Sequence, residues 1–191
     1  IKPGLTEKQI ARKIHDYYMD NSEGESFSAI VASGENSSKP HAVPTDRTIQ
    51  KKDIITIDMG CIVNGYCSDM TRTIFVGEIT EEQKNIYNLV LKNQKIALNQ
   101  IRDGANIKAI VKGVESDFNL NQNTLIHSLG HGVGLEIHEA PIVGIKSDFS
   151  LKENMVITDE PRNIYSRKFW SKNRRYGTCN KERCNCLDRI K

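Results

Sequence analysis

The chain has 191 residues, 38% of them apolar and 27% charged, with a formal net charge of +3 and a mean hydropathy of −0.50; that is room for one ordinary soluble domain and excludes a disordered or fibrous chain. No apolar run approaches the roughly 20 residues that cross a bilayer and no signal-peptide pattern opens the chain, so a membrane is not an expected partner. Five irregularly spaced cysteines do not make a secreted disulfide scaffold and point to reducing cytoplasm, while a start at Ile1 rather than Met leaves a preceding piece expected.

Thr6-Glu7-Lys8-Gln9 spells a capping box, and Ile10, Ile14, Tyr17 and Tyr18 follow at helical spacing, which predicts an amphipathic helix over 6–20. Strand candidates come next at 27–33, 54–60, 62–67 and 69–76. Thr80-Glu81-Glu82-Gln83 repeats the cap and opens a longer helix through Ile86, Leu89, Val90, Ala97 and Ile101, closed by Asp103-Gly104. A third helix over 107–118 is marked by Ile107, Ile110, Val111, Val114 and Phe118, followed by strand candidates at 125–129, 133–138 and 153–159. There is also a faint internal repeat. Ile1-Lys2-Pro3-Gly4 before Thr6 resembles Ile101-Arg102-Asp103-Gly104 before Asn106, as chance or a two-half α+β architecture would produce.

The segment 54–76 carries the first chemistry. Asn64-Gly65 is a strong type I′ hairpin signal; with those two residues as the loop, Val63 faces Tyr66, Gly60 faces Asp69 and Asp58 faces Thr71. Asp58 and Asp69 then share one sheet face, about 7–8 Å apart or closer. Two acids on one face of an apolar hairpin repel each other unless a cation lies between them, and the spacing suits two divalent ions. The competing interpretation is a solvated face with both acids in water.

Three of the five histidines fall in His127-Ser128-Leu129-Gly130-His131-Gly132-Val133-Gly134-Leu135-Glu136-Ile137-His138. Glycines around His131 let a metal or a substrate backbone approach closely. His138, seven residues beyond His131, falls on the opposite face of a regular strand, so a bulge or crossing is required to bring both to one cavity. The helical HExxH zinc pattern is absent, because His138-Glu139-Ala140-Pro141 meets a proline. Met155 to Pro161 is an apolar strand ending in Asp159-Glu160-Pro161, which sets a carboxylate at a sheet end.

With these residues in hand, the chain resembles the methionine aminopeptidase/aminopeptidase P superfamily of pita-bread dinuclear metallohydrolases. The order Asp58, Asp69, His131, Glu160 matches that family's first four metal ligands, within TIDMG, GYCSDMTRT, GHGVGLEIHE and TDEP over residues 1–161. VASGENSSKPHAVPTDR and SDMTRT resemble the Xaa-Pro branch more than the methionine branch. The resemblance implies an α+β pita-bread fold, incomplete at both ends, with helices outside an antiparallel sheet. It implies two divalent ions, a peptide substrate, and His41, His127 and His138 as histidines that contact substrate and transition state. Glu160 would also be the general base, and His138 an oxyanion donor worth on the order of 2.7–4 kcal/mol. Carboxylate-rich ligation favours Mn or Co, with Zn still compatible. Cys61 and Cys67 are read as small buried apolar residues.

The pattern breaks after Pro161. The family expects Gly-Ile-Tyr after Glu-Pro and a fifth ligand, a Glu in an RIED-like strand; this chain has Arg162-Asn163-Ile164-Tyr165, and Lys172-Asn173-Arg174-Arg175 in that register. Residues 162–191 hold ten Lys/Arg against Glu182 and Asp188, a net +8, whereas 1–161 carries −5. The genetic code links the two observations. Arg162 to Arg167 can be written AGG AAT ATA TAT TCC AGG, and dropping the first base gives Gly-Ile-Tyr-Ile-Pro-Gly. Allowed synonyms continue it as NFGVRIEDTVLVTKKGAIALTES, with the missing Glu emerging from the Arg174 codon.

The expectation is therefore a catalytic domain over 1–161 followed by an out-of-frame basic tail over 162–191 that replaces the final catalytic strands, with little or no peptidase activity and with Arg174 repelling the cations. A nucleic-acid arm and a metal knuckle at Cys179, Cys184 and Cys186 are discounted, since neither spacing fits. Nucleic acid is not an expected partner, and a homodimer is left open. The rival functions are a methionine aminopeptidase and a non-catalytic peptide-binding module on the same fold.

Overall fold

Both capping boxes close as their sequences require. The Thr6 hydroxyl accepts from the Gln9 amide at the head of α1 (Glu7–Asn21), and Thr80 accepts from Gln83 at the head of α2 (Glu81–Leu98); each Gln side chain reaches back to the cap backbone. Asn106 caps α3 (Ile107–Leu120) by accepting from the Ala109 amide at 3.1 Å. The α2 helix stops at Leu98, short of the expected Asp103-Gly104: the Gln100 N–H already drops back to the Ala97 carbonyl, and Gly104, at φ +74°, gives its N–H to the Leu151 carbonyl. This computed structural model describes residues 1–39, 41–121, 125, 127–165, 169–172, 175–179 and 184–186.

The class is α+β, with antiparallel sheets and helices packed against them. The strands are β1 (Ile30–Ser33), β2 (Ile54–Met59), β3 (Ile62–Val63), β4 (Tyr66–Cys67), β5 (Met70–Phe75), β6 (Gly130–Gly132), β7 (Glu139–Val143) and β8 (Val156–Asp159), then β9 (Arg162–Tyr165), β10 (Phe169–Lys172), β11 (Arg175–Cys179) and β12 (Cys184–Cys186). One sheet runs β1-β2-β5 and a second runs β12-β11-β8-β6-β7. The hairpin register is the one Asn64-Gly65 dictates: Val63 opposes Tyr66, Asp58 opposes Thr71, and both turn residues have positive φ.

Two strands differ from the sequence expectation. Instead of 125–129 and 133–138, the ladder forms at β6 and β7, and 134–138 is a bend. The Glu139 carboxylate folds back to accept the Glu136 amide at 2.8 Å, and a Cβ on Gly134 would fall 2.8 Å from that same carboxylate. The local carboxylate therefore wins over the alternating apolar pattern of Val133, Leu135 and Ile137, and Leu135 ends up exposed.

The internal repeat has a structural counterpart. Gly4 N–H bonds the Ile49 carbonyl and Gly104 N–H bonds the Leu151 carbonyl; Glu7 N–H bonds Arg47 and Ile107 N–H bonds Phe149. Isolated bridges join Thr6 to Thr48 and Asn106 to Ser150. The strand order β1-β2-β5 is matched by β6-β8-β11, all antiparallel. Each half buries its own core: Ile10, Val31, Ile49, Ile55 and Ile57 in one, and Val90, Ile110, Val114, Phe118, Leu129 and Ile157 in the other. The compositional join at Pro161 is not a break in the sheet, since β11 hydrogen-bonds to β8 beyond it.

Candidate metal centre

Strand alternation places the acids. Along β2, Thr56 and Asp58 point to one side; Asp58 Oδ1 accepts from the Thr71 hydroxyl across the ladder at 2.7 Å. Asp69 enters β5 fully buried, after a tight crossing at Gly60, where a Cβ would lie 1.9 Å from the Ser68 carbonyl oxygen. At the end of β8, Thr158 and Glu160 repeat the alternation, and the Thr158 hydroxyl donates to Glu160 Oε1 at 3.1 Å.

His131 is delivered by the close approach of β6 to its neighbours. Side chains at its flanking glycines would collide with backbone, at 2.0 Å from Thr158 O for Gly130 and 2.3 Å from Ala140 O for Gly132. The ring's Nδ1 donates to the Gly132 carbonyl at 2.9 Å, which turns Nε2 towards the acids. That Nε2 lies 3.4 Å from Asp69 Oδ2 and 3.3 Å from Glu160 Oε1.

The bulge needed to gather the histidines is present. The β6–β7 register shifts between His131 and Gly132, and the His131 and His138 rings stand 4.4 Å apart, centroid to centroid. Asp58, Asp69, His131 and Glu160 line one cavity of about 720 Å³, together with His41, His127 and His138. Phe27, Ile30, Ile137 and Ile142 supply its apolar wall. The His127 Nδ1 is held on the Ser128 carbonyl.

A buried set of three carboxylates and one imidazole fits a divalent-cation site, because such acids are stable together only around positive charge. The donor set fits oxygen- and nitrogen-preferring ions. Among the described residues, no three His, Cys, Asp or Glu side chains are placed so that they could hold one metal ion as they stand. Glu182 and Arg174 lie outside the described residues. Cys61 and Cys67 are half-buried free thiols rather than buried ones, and burial pushes the Cys67 thiol up.

Three residues that sequence reasoning passed over belong to the cavity or its support. Thr71 and Thr158 orient Asp58 and Glu160, a role signalled only by their alternate spacing and cross-strand register. The third is Arg162, which lines the same cavity. Its position two residues after Glu160 in extended chain was the available signal.

Fold and site together define the class: a pita-bread protein whose cleft gathers acids and imidazoles. The X-Pro aminopeptidase of Thermotoga maritima superposes with a TM-score of 0.95 at 33% identity, covering 100% of this chain and 55% of that one. The prolidase of Pyrococcus furiosus superposes with a TM-score of 0.95 at 35% identity, covering 100% and 58%. The family model for metallopeptidase family M24 matches residues 1–182, and the chain belongs to that family. An Xaa-Pro dipeptidase of Pyrococcus furiosus is 42% identical over 173 residues, 88% of this chain and 49% of that protein. Its Pyrococcus horikoshii counterpart is 40% identical over 173 residues, 88% and 48%. The chain spans about half the length of these curated relatives.

Proposed function

We propose that this chain is the catalytic part of a dinuclear metal-dependent peptidase that removes the N-terminal residue of Xaa-Pro peptides, as an aminopeptidase or dipeptidase. The observation that carries the reading is the meeting of donors from separate elements: His131 Nε2 stands 3.3 Å and 3.4 Å from Glu160 and Asp69, in a cavity that Asp58 also lines. Asp58, Asp69, His131 and Glu160 would hold two divalent ions, Mn or Co in preference to Zn, whose Lewis acidity makes hydroxide available near neutral pH. Glu160 takes the proton of the attacking water. His138 donates to the developing oxyanion, and His41 and His127 position the peptide. The setting is the cytoplasm, in line with the free thiols of Cys61, Cys67 and Cys179, and among the described residues no helix is long and apolar enough to cross a membrane. A homodimer is compatible with this reading.

The same proposal includes a damaged C-terminus. A one-base shift at Pro161/Arg162 explains the loss of the fifth carboxylate and the +8 composition of 162–191, with 1–161 as the intact catalytic portion. Sequencing the gene across codons 158–176 tests the shift; codons that cannot spell the restored frame refute it. Hydrolysis of an Xaa-Pro dipeptide and of Met-Ala, with Mn²⁺ supplied, tests the rest. The restored-frame protein is expected to cleave the Xaa-Pro substrate and the 191-residue protein to show little or no turnover. Robust turnover by the 191-residue protein overturns the impairment, and an inert restored-frame protein overturns the peptidase reading.

A further inference from the structure

Extended chain through Pro161 puts alternate side chains on one side, so Thr158, Glu160 and Arg162 face the same way. The hydrogen bond from Thr158 to Glu160 shows that this shared face is real, and Arg162, half-buried at the start of β9, lines the cavity with Asp58, Asp69, His131 and Glu160. Glu160 and Asp58 are the negative charges that act on the Arg162 guanidinium, against its burial. Guanidinium stays protonated in proteins and is weakly hydrated for a cation, so it tolerates such a site better than an ammonium would. Carboxylates crowded together and buried need positive charge. A cation tied to the chain competes for them at an effective concentration on the order of millimolar, without being diluted.

We propose that Arg162 is a tethered cation of the acid cluster, which occupies part of the charge and space offered by Asp58 and Glu160 and so weakens the binding of divalent ions by this chain. The proposal rests on the metal-centre reading above and adds a residue that sets its occupancy. A divalent ion carries the greater charge and can still enter, but it must displace a like-charged group that cannot leave. Metal uptake is therefore weakened rather than abolished.

The test is calorimetric titration of Mn²⁺ alone into the 191-residue protein, Arg162→Gly and Arg162→Met, with circular dichroism to verify folding. Methionine keeps the length and packing of the side chain, so it decides the matter if the glycine variant misfolds. Both variants are expected to bind Mn²⁺ on the order of 10–100-fold more tightly than the parent. In metal-free buffer they should unfold at lower urea than the parent, and added Mn²⁺ should restore them. Adding Asp58→Asn to Arg162→Met should erase the gain; a gain that survives would place the ion elsewhere and overturn the proposal. Equal Mn²⁺ affinity in all three proteins overturns it while leaving the metal-centre reading intact. Absence of Mn²⁺ uptake by all three overturns both.

Discussion

In the first half of the molecule, β2 presents Thr56 and Asp58 at alternate positions; in the second, β8 and the residue after it present Thr158 and Glu160 in the matching register. Ile55 and Ile157, both fully buried, occupy equivalent core positions. The halves then part company at the neighbouring strand. Where β6 carries Gly130 and His131, β1 carries Val31 and Ala32, both buried in packing. The first turn of α1 buries Glu7, whereas the first turn of α3 buries Ile107. A common scaffold thus fixes where carboxylates stand, while the imidazole belongs to one half alone, where glycine admits a bulge that valine would block. The β2–β5 hairpin also brings in Asp69, whereas in the second half β11 begins at Arg175, opposite Asp159.

The comparison can be broken most strongly at Asp69. Asp69→Asn removes the acid without a described counterpart and should weaken Mn²⁺ binding by on the order of 10–100-fold at least, read by titration calorimetry. Unchanged affinity would mean that Asp58, His131 and Glu160 hold the ion without Asp69. Next, Gly130→Ala places a methyl group 2.0 Å from the Thr158 carbonyl oxygen. Overpacking of this kind should cost about 1–3 kcal/mol in urea unfolding, and a neutral result would show that β6 can relax towards the geometry of β1.

Glu7 sharpens the contrast between the two helix starts. It accepts from the amides and hydroxyls of Ser33 and Thr45 and from the Asn36 side chain, and so ties α1 to the segment leading to His41. Burial pushes its carboxyl up, but the donors of Thr45 and Ser33 outweigh burial and hold it below the usual range. A folded-state value below the unfolded one means that this stabilisation is complete above about pH 4.5 and fades as pH falls through the lower folded value. Glu7→Gln should cost about 1–3 kcal/mol near neutrality and flatten that acid limb in pH-dependent unfolding. The smallest effects are expected at the caps. Thr6→Ala and Asn106→Ala should each cost about 1 kcal/mol, and a large difference between them would show that the two helix starts are not equivalent in energy.

Features set by neighbours along the chain were legible in advance. The capping boxes, the Asn64-Gly65 turn and the opposition of Asp58 to Thr71 each depend on a few adjacent residues. The need for a bulge near His131 was legible too, because period-2 alternation sets a definite requirement on His138. What escaped depended on distant atoms. Leu125 to Ile137 alternate as a strand would, and only the Glu139 carboxylate and the carbonyls beneath Gly130 and Gly132 show why the ladder forms elsewhere. Arg162 escaped because composition marked the whole segment as aberrant, which hid that its first residue still follows the alternation of β8.

The kink at His131 ties two events into one. The imidazole is anchored to the carbonyl of the residue with which the ladder slips, so ironing the strand flat would swing the ring's outer nitrogen aside and carry His138 to the far face in the same movement. A single slip of backbone would silence two side chains together, making this short strand a mechanical fuse for the cleft.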